Sequence, residues 1–207
     1  MRHKLGRAIV DVHLNPANTR AGMQDKDDTS HDSRTLRDDN DRTLYFTGDV
    51  DETSITQAIS YITTMSRQDI KKPITIVFNT YGGSVDDMFA LYDMIRFLKT
   101  PIHTIGLGKI MSAGVLLLAS GARGHRKVGK RSRMMIHPIS SSVYGTIFDQ
   151  KNSVKEMERL QNQWQECMIE STKLTPEQLQ AFMTSNVDTY LTPEQAISFG
   201  IVDEILE

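Results

Sequence analysis

The chain of 207 residues contains one cysteine, Cys167, one tryptophan, Trp164, and only 7% aromatic residues. A single cysteine excludes an internal disulfide and a multi-cysteine metal site, and it fits a reducing compartment. Long apolar stretches are missing as well. The longest strictly aliphatic run is Val115 to Ala119, far short of the roughly 20 residues that cross a bilayer, and the opening Met1-Arg-His-Lys-Leu-Gly lacks the apolar core of a secretory signal. A soluble, cytoplasmic protein without a membrane partner is expected. Neither sign of charge is in excess: 24 Lys and Arg face 26 Asp and Glu, a net charge of −2, so nothing global points to nucleic acid. The length suits one α/β domain.

The composition changes along the chain. Residues 1 to 22 carry four Lys or Arg against one Asp, and residues 25 to 42 carry seven Asp against four basic residues, with almost no apolar periodicity. Residues 1–40 therefore read as a flexible arm or leader and 41–207 as the folded domain. Arg123 to Arg133 holds six basic residues and no acid; with no aromatics interleaved, it reads as a solvated turn or subunit contact rather than a nucleic-acid stripe.

Thr43–Thr47 is a β-branched and aromatic run stopped by Gly48. Ile55, Ala58, Ile59, Ile62 and Met65 lie on one helical face, Ile74–Phe78 is a buried strand, and Met88, Leu91, Tyr92, Ile95 and Leu98 mark a second helix. Pro101 to Gly108 is the next strand. This alternation predicts parallel crossovers. Met134–Ile136 reads as a further strand. From Ile147, the residues Val154, Met157, Leu160, Trp164, Cys167 and Met168 recur at helical spacing over about seven turns, and a stripe that long must cover a core or another subunit. Thr175-Pro-Glu-Gln and Thr192-Pro-Glu-Gln are two near-identical helix starts, and Gly200 closes the second helix.

Three features carry chemistry. Ser112 stands in Gly108-Lys-Ile-Met-Ser-Ala-Gly114, where a strand meets a short apolar helix; Gly82-Gly83 lies about thirty residues upstream and His137 twenty-five downstream. Each has an ordinary alternative: a helix cap, a tight turn, and a structural histidine like His103. Met111 before Ser112 also departs from the Gly-x-Ser-x-Gly elbow. Jointly they line the carboxyl edge of one parallel sheet, where open α/β sheets place ligands, and they suggest a nucleophile, a base and an anion cradle. Spacing alone leaves the acid open among Asp149, Asp188 and Asp203.

From about Asp41 to Leu206 the sequence resembles the ClpP family of serine peptidases, through Tyr81-Gly-Gly-Ser, Met111-Ser-Ala-Gly with Leu116-Leu-Leu-Ala-Ser-Gly-Ala-Arg-Gly, and Ser132-Arg-Met-Met-Ile-His-Pro. The resemblance implies a ClpP/crotonase-like α/β fold of repeated β-β-α units, with a mostly parallel sheet and a protruding handle over about residues 138–174. It implies catalysis by Ser112, His137 and Asp188, the last through Asp188-Thr-Tyr-Leu-Thr192. Backbone oxyanion donors would come from Gly83 and Ala113, and substrate contacts from Gly82, Ser84, Ile139 and Ser141. No cofactor, metal or nucleic acid is expected. The implied partners are a polypeptide substrate, a homo-oligomeric ring (a heptamer or double heptamer) enclosing the sites, and an AAA+ unfoldase.

Three departures stand out: Ser141-Ser142 replaces the family's Gly-Gly, Asn186-Val187 replaces a charged pair linked to ring pairing, and the first forty residues do not resemble the pore-loop segment. The alternatives are a phage-type or signal-peptide-type peptidase, with Lys109 hinting at a Ser-Lys dyad; a crotonase-type acyl-CoA enzyme that would not need Ser112; and a non-catalytic ring subunit.

Overall fold

The computed structural model describes residues 36–38, 41–185 and 187–207. Residues 1–35 and 39–40 of the expected arm, and Asn186, lie outside the described residues. The arm's remaining three residues, Leu36–Asp38, form strand β1, which pairs antiparallel with β2 (Thr43–Thr47). The sheet thus begins before the expected boundary at 41, because backbone pairing does not require the apolar pattern that the boundary was read from.

Elements then alternate as expected: α1 (Glu52–Gln68), β3 (Ile74–Thr80), α2 (Val85–Phe97), β4 (Ile102–Met111), α3 (Ala113–Ala119), β5 (Arg126–Gly129) and β6 (Arg133–Ile136). The rest comprises α4 (Ile147–Ser171), α5 (Pro176–Thr184), β7 (Thr189–Leu191), α6 (Pro193–Ser198) and β8 (Glu204–Leu206). One sheet runs β1-β2-β3-β4-β5-β8, with β6 joining β4 and β7. Its pairs are parallel except β1 with β2 and β6 with β7. The fold is mixed α/β with a mostly parallel sheet, as expected.

One long strand, β4, is used twice. Thr104–Gly106 of β4 pair with β5, whereas Lys109–Met111 pair with β6. The change of partner falls at Gly108, whose φ of +71° bends the strand. Strands β5, β7 and β8 were not legible, being short and, in β5, basic.

Helix α3 is buried along its whole length, with Val115, Leu116, Leu117 and Leu118 fully inaccessible. A helix apolar on every side belongs inside, and α3 packs beside α2, α4 and β4. The two Thr-Pro-Glu-Gln starts form capping boxes on Thr175 and Thr192. The stripe of α4 divides: Leu160, Trp164 and Met168 join the core, while Ile147, Phe148 and Val154 stay exposed.

The basic segment is not a free patch. Arg126 is buried and donates to both Asp203 oxygens (2.9 and 2.7 Å), to Ser171 O at the end of α4 (2.6 Å) and to Ala119 O at the end of α3 (3.3 Å). Lys127 pairs with Glu204, Arg123 donates to Glu170 O, and Arg133 lies over the Tyr190 ring. One guanidinium thus ties the ends of α3 and α4 to Asp203, the residue before β8.

Hydrogen bonds from Arg126, assisted by the Gly124 N–H, hold the Asp203 carboxyl at about 2, down from its ordinary 3.8. Because Asp203 is partly exposed and its ion pair is screened by solvent, that depression corresponds to stability below about 2 kcal/mol, present above about pH 4 and lost as pH falls toward 2. We predict that Asp203→Asn is less stable than the parent protein at pH 7 in urea unfolding. The gap should narrow between pH 4 and 2; a constant gap would refute the linkage.

Candidate active site

Sheet register assembles the site. Thr80 of β3 stands opposite Ile110 of β4, so the same register carried two residues on brings Gly82 to Ser112. Met111 of β4 stands opposite Met135 of β6, and the Ser112 N–H donates to Met135 O at 2.8 Å. Ile136 of β6 faces Thr189 of β7 in an antiparallel pair, and one residue further His137 faces Asp188. Four segments distant in sequence thereby end at one place.

Ser112 joins β4 to α3 with φ +54° and ψ −121°, a conformation that costs a non-glycine residue about 1–3 kcal/mol. Its side chain makes no cap hydrogen bond to α3. The capping alternative is thus excluded; the hydroxyl instead meets His137 Nε2 at 2.8 Å. This is the exposed-serine geometry of a strand-to-helix elbow, reached without flanking glycines. The room comes from another loop: at Gly82, φ +98°, a Cβ would lie 2.8 Å from both Met111 O and the Ser112 Cβ. That long-range relief leaves no trace in the sequence around Ser112.

Gly83 forms an isolated parallel bridge with Val50. Val50 N–H donates to Gly82 O and Ser84 N–H to Val50 O, both at 2.8 Å, so the Gly83 N–H takes no part. A Cβ at Gly83 would sit 2.2 Å from Val50 O. Ala113 is the first residue of α3, and a first-turn N–H has no partner within its helix. Gly83 and Ala113 both line the small apolar pocket beside Ser112, together with Val85, Met88, His137, Ile139, Ser140 and Trp164.

Burial lowers the pKa of His137 below its ordinary 6.5, and the Asp188 charge partly opposes this. Neutral imidazole therefore prevails near pH 7, and Nε2 can accept the serine proton. Asp188 is exposed and acts on the ring through its charge. The other two candidate acids are engaged elsewhere: Asp149 caps α4 through Thr146, and Asp203 holds Arg126. Lys109 lies 4.5 Å over the Tyr81 ring and forms no dyad with Ser112. His103 stacks on His125, ring centroids 4.1 Å apart, which suits its structural reading.

Of the expected substrate contacts, Ile139 lines the pocket and its N–H donates to Gln161 Oε1 at 2.7 Å. Gly82 lies behind Ser112 rather than on the pocket wall, and Ser84 caps α2 by accepting from the Asp87 N–H. Ser140, next to Ile139, lines the pocket, and Ser141 does not. Val85, Met88 and Trp164 were missed as lining residues: their periodic spacing reports burial, and a pocket wall is also buried. Among the described residues, no group of three or more His, Cys, Asp or Glu could hold a metal ion, and no helix is long and apolar enough to cross a membrane.

Comparison with known sequences matches residues 26–207 to the family described as Clp protease. The chain belongs to the Clp protease family. The match begins fifteen residues before the resemblance read at Asp41, so part of the expected arm lies within the family's span. Relatives include the ATP-dependent Clp protease proteolytic subunit 1 of Corynebacterium glutamicum, 31% identical over 81% of this chain and 80% of the relative. The subunit 1 of Bifidobacterium longum is 32% identical over 81% of this chain and 71% of its own length. The subunit 3 of Rhodococcus jostii is 32% identical over 80% and 81% respectively. Membership in the Clp protease family makes this chain a hydrolase of the peptidase class.

Asp188→Asn should move the His137 titration to still lower pH, because burial then acts unopposed. Imidazole resonances followed by NMR across pH 4–8 would check it. An unmoved midpoint would separate Asp188 from His137.

Proposed function

We propose that this Clp protease family member cuts peptide bonds with Ser112 as nucleophile, His137 as general base and Asp188 as the acid that orients and stabilises the imidazolium. The observation that carries this reading is the 2.8 Å contact between Ser112 Oγ and His137 Nε2 at a strained elbow. Ser112 Oγ attacks the carbonyl carbon while Nε2 takes its proton; the tetrahedral oxyanion forms against the Gly83 and Ala113 amides. His137 then returns the proton to the leaving amine, and water hydrolyses the acyl-enzyme by the same steps in reverse order. Each amide supplies roughly 3 kcal/mol of transition-state stabilisation. A crotonase-type reaction would leave the serine–histidine contact without a purpose.

The reading includes a ring-shaped homo-oligomer whose chamber admits unfolded chains or short peptides, an AAA+ unfoldase as feeder, and a cytoplasmic setting that suits the lone cysteine. Its support is the first half of α4. Phe148 is 74% exposed, Ile147 63% and the preceding Tyr144 87%, a set of apolar side chains that a solvated monomer has no reason to present. The names of the relatives, proteolytic subunits of an ATP-dependent protease, agree with it.

Ser112→Ala should lower hydrolysis of a short fluorogenic peptide by about a million-fold and abolish fluorophosphonate labelling at residue 112, read by mass spectrometry. Retained cleavage would sink the assignment. Separately, Phe148→Asp should shift the mass measured by light scattering toward smaller assemblies, while an unchanged mass would remove α4 from the assembly contact.

A further inference from the structure

We propose that Gln161 is a positioning residue of the peptidase site: from α4 it tethers the backbone just after His137 and so holds Ile139 and Ser140 against the cleft. The inference rests on the peptidase reading and adds to it a residue that does not itself line the pocket. Strand β6 ends at Ile136, and the next ten residues, 137–146, form neither strand nor helix before α4 begins at Ile147. Pro138 has no N–H, so the first backbone donor after His137 is that of Ile139. It donates to Gln161 Oε1 at 2.7 Å. Among the described residues, no other hydrogen bond ties residues 138–143 to another element. Yet this stretch supplies Ile139 and Ser140 to the lining of the pocket beside Ser112.

The amide serves in one orientation only. Its Nε2 donates to Met183 Sδ of α5 at 2.8 Å, and a thioether sulfur accepts but never donates. Turned over, the amide would set its NH2 against the Ile139 N–H, donor against donor, and its oxygen against sulfur. Gln161 is half-buried, next to Leu160 in the core and three residues before Trp164, which lines the pocket. Residues three apart are neighbours on a helix surface, so α4 gives the cleft a wall and a tether from one side. The Ser112–His137 pair does not need the tether, because β4 and β6 hold that corner through the Ser112 N–H to Met135 O. Loss of the tether therefore disturbs how a peptide is held and leaves the nucleophile reactive.

The test compares the full-length protein with Gln161→Leu, Gln161→Met and Gln161→Glu, each at the parent's mass by light scattering. The first two remove the amide oxygen, whereas the carboxylate of the third still accepts from Ile139 at pH 7. For a peptide with several residues on both sides of the scissile bond, kcat/KM should fall about tenfold or more in Gln161→Leu and Gln161→Met, and stay within about threefold of the parent in Gln161→Glu. The rate at which a small fluorophosphonate modifies Ser112 should stay within about twofold of the parent in all three. Amide exchange at Ile139, followed by hydrogen–deuterium mass spectrometry, should quicken about tenfold in Gln161→Leu and Gln161→Met, as one lost hydrogen bond requires, and keep the parent's rate in Gln161→Glu. An Ile139 amide that exchanges unprotected in the parent overturns the proposal. So do unchanged peptide rates in Gln161→Leu and Gln161→Met, or peptide and fluorophosphonate rates that fall together. Should Gln161→Leu misfold, Gln161→Met, unbranched like the parent side chain, still decides it. A parent that is never modified at Ser112 sinks the peptidase reading and this proposal with it; the other failures fall on Gln161 alone.

Discussion

The parallel register of β3, β4 and β6 is the constraint on which the rest of the site depends. Because residues pair one for one along these strands, the positions at which they end are fixed relative to each other. Ser112 and His137 each follow directly from a strand end, and Gly82 stands two residues beyond one. The antiparallel pairing of β7 on β6 adds Asp188 opposite His137 by the same logic. A one-residue slip of β6 against β4 would turn its residues to the other face and separate the serine from the histidine.

The strain at Ser112 persists because its surroundings leave no alternative. One side of the elbow is β4, paired on both edges, and the other is α3, buried on every face. Unwinding the corner would pull Leu116 to Leu118 from the core, which costs more than a left-handed serine. Arg126 reinforces this arrangement from below by tying the ends of α3 and α4 to Asp203. The ion pair is far from the chemistry in function but not in mechanics, since it fixes both helices that bound the pocket.

Helix α4 serves two surfaces with one stripe. Its second half is part of the core and places Trp164 against the pocket, while its first half carries its apolar residues into solvent. Under the proposed assembly, a subunit that met its neighbours through the exposed half would have its pocket wall on the same helix.

Much of this was legible in the residues themselves. The alternation of Ile74–Phe78, the Met88 stripe, Pro101–Gly108 and Val115–Ala119 sets an α/β order because period and length distinguish strand from helix. The Thr-Pro-Glu-Gln boxes mark helix starts because capping is local chemistry. Ser112 and His137 stood out through spacing, and Asp188 only through a family resemblance, because nothing local distinguishes it from Asp149 or Asp203. Tertiary structure alone decided that Asp203 belongs to Arg126, that Gly82 makes room for the elbow, that Ser140 rather than Ser141 lines the cleft, and that Trp164 reaches the pocket. The physical reason is the same in each case. Periodicity and capping act within a few residues, whereas an ion pair, a backbone approach and a cavity wall are made between segments that meet only once the sheet has paired.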